Sequence, residues 1–282
     1  MRYRTLIETS ALAAHLDDPS LAIVDCRFDL KDTSAGERAY ETAHIPGAVY
    51  ADVDRDLSAP KTGTNGRHPL PEVDIFVATL GRLGIDASTQ VVVYDHDSGG
   101  FASRLWWMLR WLGHDGVALL NGGFAKWAAE GRPTKSSVEV RPRRVFVPHV
   151  RPEMVANATD VEGMIGKPGW RLIDARAPER FRGEVEPVDK VAGHIPGAVN
   201  VPFLENLDAN GTFKSPADLA ERFRNASGST PTDHLVVYCG SGVTACQNLL
   251  ALEHAGMHGA KLYPGSWSEW SSDPSRPMKK AG

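Results

Sequence analysis

The chain repeats itself at domain scale. His44-Ile45-Pro46-Gly47-Ala48-Val49 returns as His194-Ile195-Pro196-Gly197-Ala198-Val199. Ile23-Val24-Asp25-Cys26-Arg27 is echoed by Leu172-Ile173-Asp174-Ala175-Arg176, and Val91-Val92-Val93-Tyr94-Asp95 by Leu235-Val236-Val237-Tyr238-Cys239. Gly122 to Trp127 lines up with Gly265 to Trp270. Four blocks in the same order, at a nearly constant spacing of about 150 residues, describe a duplicated domain, because solenoid repeats are only about 20–50 residues long. A length of 282 residues also accommodates two ordinary domains. The expected boundaries are 1–135 and 153–282, with a linker at 136–152 rich in proline and arginine.

Each half follows one plan. A short helix starts near Thr9 or Ser10 in the first half and at a Thr-x-x-Glu capping box, Thr159 to Glu162, in the second. A strand ending in Asp-x-Arg follows, then the His-Ile-Pro-Gly turn and a short apolar strand. Val73, Phe76, Leu80 and Leu83 form a helical stripe closed by Gly84. In the second half Ser215-Pro216 supplies an N-cap and first-turn proline, with Leu219 and Phe223 one turn apart. Next come a near-continuous apolar strand, another helix, a short strand and a Gly/Trp corner. Continuous apolar strands alternating with helices predict α/β domains, each a mostly parallel sheet covered by helices on both faces. Trp106, Trp107 and Trp111 fit core and interface positions. Trp127 and Trp270 read as core plugs, while Trp267 could reach a cleft. The tail from Ser271 reads as polar and irregular.

Composition excludes several classes. Hydrophobic residues make up 42% of the chain, enough for substantial cores, and the net charge of −4 favours neither nucleic acid nor a membrane surface. The arginines near the linker have no interleaved aromatics and suggest a solvated connector. No apolar run approaches the roughly 20 residues of a membrane span, and no signal-peptide pattern follows Met1. Three cysteines are not a disulfide framework. A cytoplasmic, monomeric protein in a reducing compartment is expected. Histidine and cysteine spacings match no metal site, and no cofactor is expected.

The two halves disagree at one position. The apolar strand of the second half ends at Cys239, followed by Gly240-Ser241-Gly242-Val243-Thr244 and a helical segment from Ala245 to Ala255, stopped by Gly256. Two glycines let the backbone curl with its amides inward, facing a helix N-terminus, and both features favour a thiolate over a thiol. The first half has Asp95 at the matching strand end, and a carboxylate cannot replace a soft sulfur nucleophile. The second half is therefore the expected catalytic domain, with Cys239 at the carboxyl end of a parallel strand, where ligands bind in such sheets. Cys26 and Cys246 read as packing residues.

The paired His-Ile-Pro-Gly turns, the Asp-x-Arg strands, the Cys-x5 loop and the Gly-Ser-Trp-x-Glu-Trp corner together resemble the two-domain rhodanese-like sulfurtransferases over essentially the whole chain. The loop Cys239 to Ala245 is most similar to that of 3-mercaptopyruvate sulfurtransferases. Thiosulfate sulfurtransferases of the animal type carry Arg and Lys where this chain has Gly240 and Ser241, and a loop without those cations suits a carboxylate donor better than a dianion. The resemblance implies a Cys239 persulfide, stabilised by loop amides from Gly240, Gly242, Val243 and Thr244. Its outer sulfur would pass to a thiol, thioredoxin or cyanide.

It also implies that Ser241 couples to a His and an Asp, for which His68 and Asp54 are the candidates. Arg180 matches an arginine that grips the substrate carboxylate. A second family arginine is absent, with Val188 about where it would stand, and Lys190 is the candidate substitute. Asp174 and Arg176 recur as Asp25 and Arg27, which points to a structural network. Three alternatives stay open or fall. A thiosulfate:cyanide sulfurtransferase and a non-enzymatic persulfide carrier remain. A cysteine phosphatase needs arginine at the sixth position after the nucleophile, where this chain has Ala245.

Overall fold

The structure is a computed structural model that describes residues 3–280. The chain divides into two compact units. The first comprises residues up to Ala59, Leu70–Arg151 and Ala209–Phe213, and the second comprises Pro60–Pro69, Pro152–Asp208 and Lys214 onward. Two short segments thus pack with the unit formed mainly by the other half of the sequence. Residues 60–69 matter most, because they carry His68.

In the first unit the elements are β1 (Leu6–Ile7), α1 (Thr9–Ala13), β2 (Leu21–Asp25), α2 (Ala35–Thr42), β3 (Ala48–Tyr50), α3 (Val73–Arg82), β4 (Gln90–Tyr94), α4 (Ala102–Trp111), β5 (Val117–Leu120) and α5 (Gly123–Ala129). Its sheet has the order β1-β5-β4-β2-β3, with every pairing parallel. Parallel neighbours need a crossover, which the intervening helices and loops supply. β2 is buried along its whole length, as a central parallel strand should be.

The second unit contains α6 (Ala158–Met164), β6 (Arg171–Asp174), α7 (Pro178–Arg182), β7 (Val199–Asn200), α8 (Pro216–Ser227), β8 (Leu235–Tyr238), α9 (Ala245–His254), β9 (Lys261–Leu262) and α10 (Ser266–Trp270). Its sheet runs β7-β6-β8-β9, again all parallel. The partner of β1 survives only as a single bridge between Val155 and Leu262.

Several local expectations hold. Ser215 caps α8, its hydroxyl accepting from Asp218 N–H at 3.2 Å, with Pro216 opening the helix. One is displaced. The capping box of α6 uses Asn157 and Asp160, which exchange two 2.9 Å bonds, rather than Thr159 and Glu162. An asparagine cap was available two residues upstream, and its side chain serves this position better than a threonine's.

Trp127 and Trp270 are fully buried at matching corners, donating to the carbonyls of Pro133 and Pro277 at 2.8 and 2.9 Å. Just beyond each corner the chain returns to pair a lysine with the histidine of the His-Ile-Pro-Gly turn, His44 with Lys135 and His194 with Lys279. The tail is thus anchored, although irregular. The connector between the two halves carries no helix or strand through residue 151 but is not free. Arg144, His149 and Arg151 N–H groups bond the carbonyls of Gly81, Leu112 and Trp111, all within the first unit. Trp106, Trp107 and Trp111 are buried. Among the described residues no helix is long and apolar enough to cross a membrane.

Each unit also buries one Asp-Arg-Tyr network. Arg27 grips Asp25 and donates to Ala43 O at 2.6 Å, while Tyr94 donates to Asp25 at 2.8 Å. Arg176 grips Asp174 and donates to Gly193 O at 2.7 Å. Charges this deep survive because every one is paired. They tie the strand carrying the Asp to the turn that follows.

Candidate active site

Cys239 follows directly on β8, a strand buried from Leu235 to Tyr238, and is itself 2% exposed. Its backbone is held on both sides. The Cys239 N–H donates to Ser266 Oγ at 3.1 Å, and its carbonyl accepts from Trp267 N–H at 3.0 Å. Ser268 N–H bonds the Gly240 carbonyl at 2.9 Å. Ser266 hands its own hydroxyl hydrogen to Tyr263 O at 2.9 Å and sits at φ 54, the one non-glycine residue with positive φ among those described. Such a conformation costs roughly 1–3 kcal/mol and persists where its surroundings over-determine it.

The loop then turns at Gly242, with φ +73, where a β-carbon would stand 2.2 Å from the Pro264 carbonyl oxygen. Only glycine fits both constraints. The N–H groups of Val243 and Thr244 have no hydrogen-bond partner among the described residues. They precede the N-terminus of α9, where a helix favours negative charge.

The first unit shows what such a cup holds. Asp95, in the position of Cys239, is buried and accepts N–H bonds from Gly99 at 2.8 Å, Phe101 at 2.8 Å and Ala102 at 3.1 Å. Burial pushes its carboxyl pKa up, and the three amides partly offset that rise. The strand-loop-helix geometry is therefore an anion cup in one unit, filled there by its own side chain.

Two further groups converge on the Cys239 loop. His68 is buried, with Nδ1 2.7 Å from Ser241 Oγ. The expected Ser-His pairing is present, and it lies within the second unit because residues 60–69 pack there. Arg180, from α7, donates to Glu186 at 2.7 Å and to Asp189 at 3.3 Å.

Sequence reasoning missed Arg67. Its Nη1 pairs with the other oxygen of Asp189, and its N–H donates to Ser268 Oγ at 3.0 Å. A β-carbon on Gly240 would stand 2.7 Å from Arg67 Nη2 and 3.5 Å from Arg180 Nη2. The expectation of a cation-poor loop is thus corrected. Gly240 carries no charge but clears the space into which two guanidiniums reach. The only sequence signal was the neighbour of His68 in Gly66-Arg67-His68, since the two arginines are far apart in the chain.

Lys190 does not take this place. It is exposed and makes no ion pair among the described residues. Asp54 lies in the first unit, half-buried, its N–H bonded to Asp52 Oδ1 at 2.9 Å. Cys246 donates to Gly242 O at 3.4 Å within α9, and Cys26 is fully buried with its thiol pKa raised by burial. Both match packing roles. Trp267 is fully buried, donates to Val191 O at 2.8 Å and stacks under Arg176 at 5.0 Å, so it is core. Arg176 also reaches Glu186 at 3.4 Å, which joins the buried network of this unit to Arg180. Among the described residues Arg27 pairs with Asp25 and with no second carboxylate.

A model described as a rhodanese-like domain matches residues 8–130 and again 157–273. The chain belongs to the rhodanese-like family. This rhodanese-like chain is 49% identical over 276 residues to a probable 3-mercaptopyruvate sulfurtransferase of Pseudomonas aeruginosa, covering 97% of each. It is 41% identical to a putative thiosulfate sulfurtransferase of Mycobacterium tuberculosis, covering 98% of this chain and 97% of that one. Among solved structures it superimposes on a 3-mercaptopyruvate sulfurtransferase from Escherichia coli with a TM-score of 0.81 and 34% identity, over 94% of this chain and 99% of that one. The corresponding enzyme of Leishmania major gives 0.83 and 32%, over 95% and 74%.

Proposed function

We propose that this protein is a sulfurtransferase that takes sulfur from 3-mercaptopyruvate onto Cys239 and passes it to a thiol, thioredoxin or cyanide. The observation that carries this is the convergence on one loop of a cysteine, a Ser-His pair and two guanidiniums. The names of the relatives support the same substrate class.

The Cys239 thiolate attacks the donor sulfur. The carbon–sulfur bond breaks, and its electron pair passes to the donor carbon beside the ketone, giving the enolate of pyruvate, which takes up a proton. The outer sulfur stays on Cys239 as a persulfide. Its negative charge suits the amides of the loop and the N-terminus of α9, as the Asp95 carboxylate does in the first unit. An acceptor then attacks the outer sulfur and restores the thiolate. Two half-reactions through a covalent intermediate give ping-pong kinetics.

Enolate formation places charge on the carbonyl oxygen. With the proton on Nδ1, His68 donates to Ser241 Oγ, and the Ser241 hydroxyl hydrogen is left for that oxygen. Arg67 and Arg180 suit the donor carboxylate, because guanidiniums pair with carboxylates through parallel hydrogen bonds. For Asp54 the family resemblance alone supports a role. Three buried thiols without a disulfide support a reducing compartment such as the cytoplasm. All residues invoked come from one chain, so a monomer suffices.

The same two guanidiniums favour a second reading, thiosulfate as donor, in line with the Mycobacterium tuberculosis relative. Steady-state assays with each donor decide. A higher kcat/KM for 3-mercaptopyruvate supports the first reading, and a much higher value for thiosulfate replaces it with the second.

A further inference from the structure

Asp189 sits between the guanidiniums of Arg67 and Arg180. One of its oxygens pairs with Arg67 Nη1 and the other lies 3.3 Å from Arg180 Nη2. Among the described residues its carboxylate has no other hydrogen-bond donor. It is 95% shielded from solvent, its side chain being 5% exposed. Burial raises its pKa and the nearby Glu186 adds to the rise, while Arg67 and Arg180 oppose it.

Glu186 differs in kind. It accepts from Arg180 at 2.7 Å, from the backbone N–H of Val188 at 3.1 Å and Asp189 at 3.0 Å, and from Arg176 at 3.4 Å. Burial works against its charge, yet these bonds outweigh burial and hold its pKa low. Glu186 is therefore built into the frame by several independent donors. Asp189 hangs from the two arginines alone. Arg67 Nε is in addition buried without a partner, so this guanidinium has unused donor capacity.

We propose that Asp189 is an internal carboxylate plug that closes the Arg67–Arg180 clasp and is displaced by the anionic end of the sulfur donor, so that it sets the charge of the donor accepted. The proposal rests on the sulfurtransferase reading above. Arg67, Arg180 and Arg176 are balanced by Asp174, Glu186 and Asp189. When Asp189 leaves, one positive charge is uncovered. A monoanion such as a keto acid carboxylate restores the balance, whereas a dianion such as thiosulfate overshoots it by one. In a partly buried site such a difference is not screened away as it would be in water. Asp189 thus discriminates by charge although it touches neither sulfur.

The test is calorimetric titration of pyruvate, a monoanion, and sulfate, an unreactive dianion, into the wild-type protein and Asp189→Asn. Both anions are expected to bind the variant more tightly, by about 3- to 30-fold. Sulfate should gain more than pyruvate, because removing the carboxylate leaves the clasp one charge more positive. Asp189→Ala, which adds no amide group, must move both affinities the same way, and melting curves of both variants check the fold. Unchanged or weaker binding to the variants overturns the plug, and a larger gain for pyruvate than for sulfate overturns the charge selection. Binding is read without turnover. A wild-type protein that loaded sulfur from no donor would therefore sink the functional reading by a separate result.

Discussion

His68 Nδ1 and Ser241 Oγ stand 2.7 Å apart although 173 residues separate them. The contact exists because residues 60–69 leave the first half of the sequence and pack as part of the second unit. In the proposed mechanism this histidine acts on the serine beside Cys239. His68→Gln and Ser241→Ala are each expected to lower kcat by about 100-fold, the usual scale for losing a positioned proton donor or acceptor. The double variant should be little worse than the poorer single one, since groups acting as a unit are non-additive. Fully multiplicative losses would mean that the two act separately.

Arg67 and Arg180 are expected to bind donor more than to speed chemistry. Arg67→Met and Arg180→Met should each raise donor KM by about 10- to 100-fold, as expected for a lost charged hydrogen bond. The acceptor half-reaction, measured on persulfide-loaded protein, should change far less. A fall in kcat with donor KM unchanged would contradict this division.

Gly242 is irreplaceable on two counts, its positive φ and its approach to Pro264. Gly242→Ala should cost about 1–3 kcal/mol from the backbone conformation alone, with the steric clash in addition. Sulfur transfer should fall with it, since the loop cannot keep its turn. A melting temperature equal to wild type would show that the loop can relax elsewhere.

Arg27 and Arg176 offer an internal comparison. Each grips the aspartate two residues before it. Breaking a buried pair from one side typically costs about 3–5 kcal/mol, so both Arg27→Met and Arg176→Met should destabilise the protein. Only Arg176→Met should also raise donor KM, because only Arg176 supports Glu186 and through it Arg180. Equal effects on KM would remove the functional link assigned to Arg176. Urea unfolding and donor titration on the same preparations measure both.

The sequence carried the duplicated architecture, the parallel sheets and the position of Cys239, because apolar strands and glycine turns are local signals that a repeat doubles. It carried the Ser241–His68 pair only through family resemblance, since spacing along the chain says nothing about a contact across 173 residues. It found Arg180 but missed Arg67. The second cation was sought at Lys190, but the structure delivers it from Arg67, on a loop assigned to the other domain. The α6 cap slipped by two residues because asparagine, a better N-cap than threonine, stands two residues upstream with an aspartate three residues after it.

The most direct test is intact-protein mass spectrometry after mixing the protein with 3-mercaptopyruvate alone, without acceptor. The account predicts a gain of one sulfur atom on the wild type, lost again on adding a thiol, and no gain on Cys239→Ser. A sulfur that still appears on Cys239→Ser, or none on the wild type, would contradict it.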